Sequence, residues 1–218
     1  MMKKEIEDRV KLLEKIGGII REESKAYGII DAAWGAAILV GFSVFQIVEL
    51  LAIPWYYGFA ALVISIISAL VATPLLKQRI EKHPGYTGKG WLRDRIGKSW
   101  LVIAMIGGAS YMFVFWSPLV SNIILEHLSP RDISGFILIG WLIIDGIGSM
   151  VQGIISESKA YMGIGILMVI SAIVVANVGF IYAWSAFALT FGLGYLVVGL
   201  RDYYSFKKTL QKAGVNIE

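Results

Sequence analysis

Apolar residues gather along this chain into six blocks, at about 27–53, 55–76, 100–124, 133–155, 160–178 and 181–200, with short polar stretches between them. Each block is close to the ~20 residues a helix needs to cross a hydrocarbon core about 30 Å thick. The pattern predicts an all-α, polytopic integral membrane bundle of six transmembrane helices and leaves no room for a separate soluble domain. Hydrophobic residues make up 57% of the 218, well above the roughly 45–50% of ordinary soluble domains, and the excess is expected to face lipid.

The punctuation between blocks sharpens the boundaries. Pro54 divides spans 1 and 2 and predicts a tight hairpin. In Ser129-Pro130-Arg131-Asp132 a serine suited to capping precedes a proline suited to the first helical position, so span 4 should start there. Pro74 and Pro118 fall near span ends, where each is expected to kink its helix. Ahead of the first span, Ile6, Val10, Leu13 and Ile20 share one stripe, so residues 1–26 read as an amphipathic cytoplasmic helix lying on the inner leaflet or against a partner subunit. Residues 201–218 form the other polar end, a helical continuation of span 6 that ends near Gly214.

Charge then orients the bundle. Lysine and arginine number seven in 1–26, seven in 77–99, one in 156–160 and four in 201–218, against Arg131 alone on the opposite side. With 19 of 20 basic residues on one side, both termini are expected in the cytoplasm of a multi-pass plasma-membrane protein. The aromatic residues fit this orientation: Tyr27, Trp91, Trp100, Tyr161, Tyr203 and Tyr204 should mark the inner headgroup level, and Trp55, Tyr56, Trp116, Tyr182 and Trp184 the outer. The strongly polar first 26 residues do not resemble a cleavable signal peptide, so the first span should be retained.

The pentapeptide Glu23-Ser24-Lys25-Ala26-Tyr27 recurs unchanged as Glu157-Ser158-Lys159-Ala160-Tyr161, each time just before an inside-to-outside span, and Gly97-Lys98-Ser99-Trp100 is a looser third version. Two explanations stand side by side: three tandem helical hairpins, or the basic, small and aromatic composition of any inner helix entrance.

Ionisable residues inside spans are the informative ones, because a buried charge costs several kcal/mol, on the order of 3 by insertion scales. Asp145 sits about midway along span 4, with Ser149 and Gln152 on its face, a candidate proton or cation site or else a hydrogen-bonding link between helices. Asp31 and Glu49 are eighteen residues apart on one face of span 1, near Gln46, and form a second candidate set close enough to the ends to reach interfacial water.

Several chemistries are disfavoured. Cysteine is absent, so disulfides and thiolate metal sites are excluded. The two histidines, His83 and His127, fall in loops assigned to opposite sides of the membrane, and no metal or other cofactor is expected. The loop His83–Gly90 has glycines and a lysine but lacks phosphate-loop spacing, so no nucleotide is expected. A pI near 9.2 reflects cytoplasmic loops and calls for no nucleic acid. Neither the residues flanking the aspartates of intramembrane aspartyl proteases nor a catalytic serine–histidine pair is present, so no enzyme is expected. Two functions remain in view: a small transporter or channel subunit moving a proton, cation or small solute, and a non-catalytic subunit that anchors or assembles a larger complex. Beyond the lipid bilayer, the expected partners are other membrane subunits or further copies of the chain.

Overall fold

In the computed structural model, which describes residues 25–81, 91–118, 122 and 130–212, every defined element is helical. Helix α1 (Gly28–Leu50) closes in two residues: the Ile53 amide donates to the Val48 carbonyl at 3.0 Å and the Ala52 amide to that of Glu49 at 3.3 Å. This closure puts Ala52 at φ 52°, and Pro54 then prevents any continuation. Helix α2 (Trp55–Glu81) therefore returns antiparallel along α1.

Pro74 lies inside α2, which continues to Glu81. Its neighbour Thr73 donates to the Ala69 carbonyl at 2.8 Å and accepts from the Trp34 indole at 3.1 Å, fastening α2 to α1. Helix α3 (Trp91–Trp116) stops before Pro118, as a residue preceding proline disfavours helix. Helix α4 (Pro130–Ile155) begins at the expected proline. It closes like α1, with Glu157 at φ 51° and the Ser158 amide bonded to the Gly153 carbonyl at 2.8 Å. Helix α5 (Lys159–Val178) starts immediately after this turn.

The last block is heterogeneous. Gly179 at φ 146°, a conformation open to glycine alone, leads into a 3-10 turn (Phe180–Tyr182) and a short helix α6 (Ala183–Phe187). A π segment (Ala188–Leu193) and helix α7 (Gly194–Lys212) follow without interruption. Among the described residues, five helical stretches are long and apolar enough to cross a membrane: α1, α2, Asp132–Ile155 of α4, α5, and Phe180–Thr209. The segment 3–22, the loop 83–90, His127 and residues 213–218 lie outside the described residues.

Two glycine seams set the helix order. A Cβ on Gly192 would lie 2.6 Å from the Leu39 amide nitrogen, and one on Gly199 would lie 2.5 Å from that of Ala32. Backbone therefore meets backbone where α1 crosses the π segment and α7. Along α4 and α5, a Cβ on Gly146 would stand 2.9 Å from the Gly165 carbonyl oxygen. Lacking side chains there, these pairs approach closely enough for short polar groups to meet across them. The main core lies between the seams, with Leu142, Met168 and Ala172 among its most enclosed members. A second cluster of Tyr27, Ile30, Ile80 and Phe206 ties the start of α1 to the end of α2 and the tail of α7. Residues 201–212 are thus helical and packed through Phe206, more than a trailing tail.

The aromatic belt predicted from sequence is only partly superficial. Trp55, Tyr56, Tyr182 and Tyr204 are exposed, but Tyr27, Tyr161 and Trp184 are buried and Trp100 is packed against the core. A ring at helix-entrance level serves either lipid headgroups or a neighbouring helix, and these four turn inward.

Candidate functional site

At the end of the bundle holding Lys25, five helices bring polar side chains together. Asp31 stands in the first turn of α1, Trp100 on α3, Ser149 and Gln152 near the end of α4, Tyr161 at the start of α5 and Tyr195 on α7. They are linked as one network. The Tyr161 hydroxyl donates to Asp31 Oδ2 at 2.7 Å, and the Gln152 amide approaches the same oxygen at 3.4 Å. Gln152 Oε1 accepts from the Trp100 indole at 2.7 Å and from the Tyr195 hydroxyl at 3.1 Å. Tyr195 in turn meets Ser149 Oγ at 2.9 Å. Gln152 is 3% exposed and Ser149 fully enclosed, so these bonds form away from bulk water, where leaving them unmade is expensive.

Asp31 is 9% exposed, and its remaining surface faces a cavity of about 240 Å³. Asp202, equally buried, lines the same cavity and is gripped by its neighbour Arg201, with Nη2 at 2.6 Å and Nε at 3.0 Å from Oδ1. Lys25, Glu157 and Lys159 stand at the mouth. The repeated pentapeptide thus delivers both its lysines to one cavity, from the starts of α1 and α5. Glu157 reaches the mouth from a left-handed backbone that costs a non-glycine residue about 1–2 kcal/mol.

Sequence candidates divide accordingly. Ser149 and Gln152 enter the network, as does Asp31 from the second candidate set. Asp145 shares their helix face, yet only its backbone takes part, its carbonyl accepting from Ser149 Oγ at 2.8 Å. The Asp145 carboxyl is half-buried and makes no side-chain hydrogen bond among the described residues. Gln46 and Glu49 lie at the opposite end of α1. Gln46 Oε1 accepts from the Ser185 amide and hydroxyl, both at 3.0 Å, while its buried Nε2 has no partner among the described residues. Glu49 lines a separate cavity of about 530 Å³ with Phe45, Val48, Trp55 and Ser134.

The sequence pattern does not single out Tyr195 or Asp202. Tyr195 sits inside an apolar block where one hydroxyl hardly alters the pattern, and Asp202 falls just beyond the last block. The pentapeptide repeat was the available signal for Tyr161. Among the described residues no group of three or more His, Cys, Asp or Glu is arranged to hold a metal ion. No protein-family model, curated protein or solved structure matches this chain.

Proposed function

We propose that this chain is a small transporter subunit with six transmembrane helices and both termini in the cytoplasm of a plasma-membrane protein, moving a proton, cation or small polar solute through an inward-facing cavity. The observation that carries this reading is Asp31: an enclosed carboxylate at the floor of a 240 Å³ cavity, bonded to Tyr161 and Gln152 and through them to α3, α4 and α7. An ionisable group inside a span is expensive unless it handles a charge or a proton. Its hydrogen bonds span several helices, so a change in what Asp31 holds can be transmitted to their packing.

The test is flux into liposomes containing the purified chain, followed by an internal pH dye and by electrophysiology on supported membranes under imposed ion gradients. Asp31→Asn should retain insertion and abolish the flux. A second reading, an assembly subunit without transport, draws on the uncovered apolar side chains of α3, including Leu101, Val102, Met105 and Ile106. Absence of Asp31-dependent flux, together with stoichiometric co-purification of other membrane subunits, would favour it.

A further inference from the structure

Asp145 is the intramembrane acid that the polar network leaves aside. It stands near the middle of α4, half-buried, and its carboxyl forms no side-chain hydrogen bond or ion pair among the described residues. The polar groups on its own helix face are committed elsewhere: Ser149 to the Asp145 carbonyl and Tyr195, and Gln152 to Trp100, Tyr195 and Asp31. A carboxylate at this depth costs several kcal/mol, on the order of 3, unless something pairs with it. None of the six apolar blocks contains a lysine, arginine or histidine, so the chain supplies no base within the membrane. A second copy brings the same blocks and is equally without one.

Helix α3, which packs against α4, offers a surface for a further helix at this level. A Cβ on Gly107 would lie 2.9 Å from the Ile144 side chain, which puts this stretch of α3 and Asp145 at one depth. Around that depth α3 leaves short side chains uncovered: Ala104 and Ser110 are exposed, and a Cβ on Gly108 would meet nothing within 4 Å. Small residues let a second backbone come near enough for a side chain to reach across. We propose that the α3–α4 face docks a transmembrane helix of a different membrane protein, one carrying a lysine or arginine at mid-bilayer depth that pairs with Asp145. Charge complementarity selects this occupant over a second copy of the chain, which has no base to offer. The pairing stands apart from the transporter reading, because it holds whether or not the assembled complex moves a solute.

The experiment places the full chain in phosphatidylcholine liposomes with synthetic transmembrane helices of leucine and alanine that differ only at the central residue: lysine, leucine, glutamine or glutamate. The chain has no native cysteine, so Lys208→Cys takes a single donor fluorophore, and energy transfer to an acceptor on the peptide reads association. The lysine helix should associate roughly three- to fifteenfold more tightly than the leucine helix, the range of polar contacts between membrane helices. Asp145→Asn should remove that preference and Asp145→Glu should keep it. No preference for lysine, or one that survives Asp145→Asn, would overturn the proposal. Glutamine and glutamate helices binding as tightly as lysine would also overturn it, making Asp145 a neutral hydrogen-bonding group. Asp145-dependent energy transfer between two differently labelled copies of the chain alone would do the same, making a second copy the occupant. Flux and docking are read separately: Asp31-dependent flux without a lysine preference keeps transport and removes the docking site, whereas a lysine preference without flux does the reverse.

Discussion

Replacing Gln152 by methionine keeps length and flexibility while deleting every polar contact the amide makes. Three contacts disappear: with the Trp100 indole at 2.7 Å, the Tyr195 hydroxyl at 3.1 Å and Asp31 at 3.4 Å. Interhelical hydrogen bonds in membrane proteins average about 0.6 kcal/mol and reach about 1.7, so three bound the loss between about 2 and 5 kcal/mol. The structure argues for the lower part of that range. Asp31 faces the cavity and regains water, and its 3.4 Å contact is long to begin with. Tyr195 keeps Ser149 at 2.9 Å. The Trp100 indole N–H loses its acceptor in a partly buried position, a cost of about 1–3 kcal/mol. We expect Gln152→Met to destabilise by about 2 kcal/mol, measured by reversible unfolding in mixed detergent micelles. A double-mutant cycle with Trp100→Phe should give a coupling near 1 kcal/mol. A loss below about 0.5 kcal/mol with no coupling to Trp100 would refute the view that this amide joins α1, α3, α4 and α7.

Three other expectations follow from the helix packing and the charge pattern. Gly192→Val should force α1 from the π segment, because even a Cβ there meets Leu39 backbone at 2.6 Å; Gly163→Ala, with nothing within 4 Å, should be neutral or stabilising by up to about 1 kcal/mol in the same assay. Asp145→Asn should change stability by less than about 0.5 kcal/mol and spare any Asp31-dependent flux; loss of flux would return Asp145 to the centre of the mechanism. Cysteines placed at Lys89 and Lys208 should react with impermeant reagents only from the cytoplasm and one at Glu126 only from outside, and external labelling of Lys89 would invert the orientation.

Much of the architecture is legible from sequence because lipid imposes it. Block length and Pro54 give the α1–α2 hairpin, and Ser129-Pro130 gives the start of α4. What a helix end faces is harder to read. Asp31 lies near a span terminus, where a carboxylate ordinarily reaches water, but α7 continues for three turns past its apolar block and helps cover that end through Phe206. Tyr161 and Trp100 have the composition of interfacial anchors and become interior only because glycine seams draw the helices together. Asp145 shows the opposite outcome: its helical spacing from Ser149 and Gln152 correctly predicts a common face, but not which member of that face finds partners. Spacing along one helix fixes direction, and the contacts depend on the helices that arrive opposite.

The π segment in the last block bears on how the two ends of the molecule are connected. An α-helix leaves side chains four apart turned about 40° from one another, so a column of rings at that spacing would gradually drift off axis. The wider winding of Ala188–Leu193 counters that drift: Phe187 stacks on Phe191 at 5.5 Å and Phe191 on Tyr195 at 4.4 Å, with planes tilted by only 25° and 13°. Below, Tyr195 carries the polar network; above, Phe187 stacks on Phe42, which touches Trp184. The segment therefore acts as a phase adjuster in the helix. Without its extra residue, α7 would be rotated by about 100° relative to α6, and the Tyr195 hydroxyl would point away from Gln152.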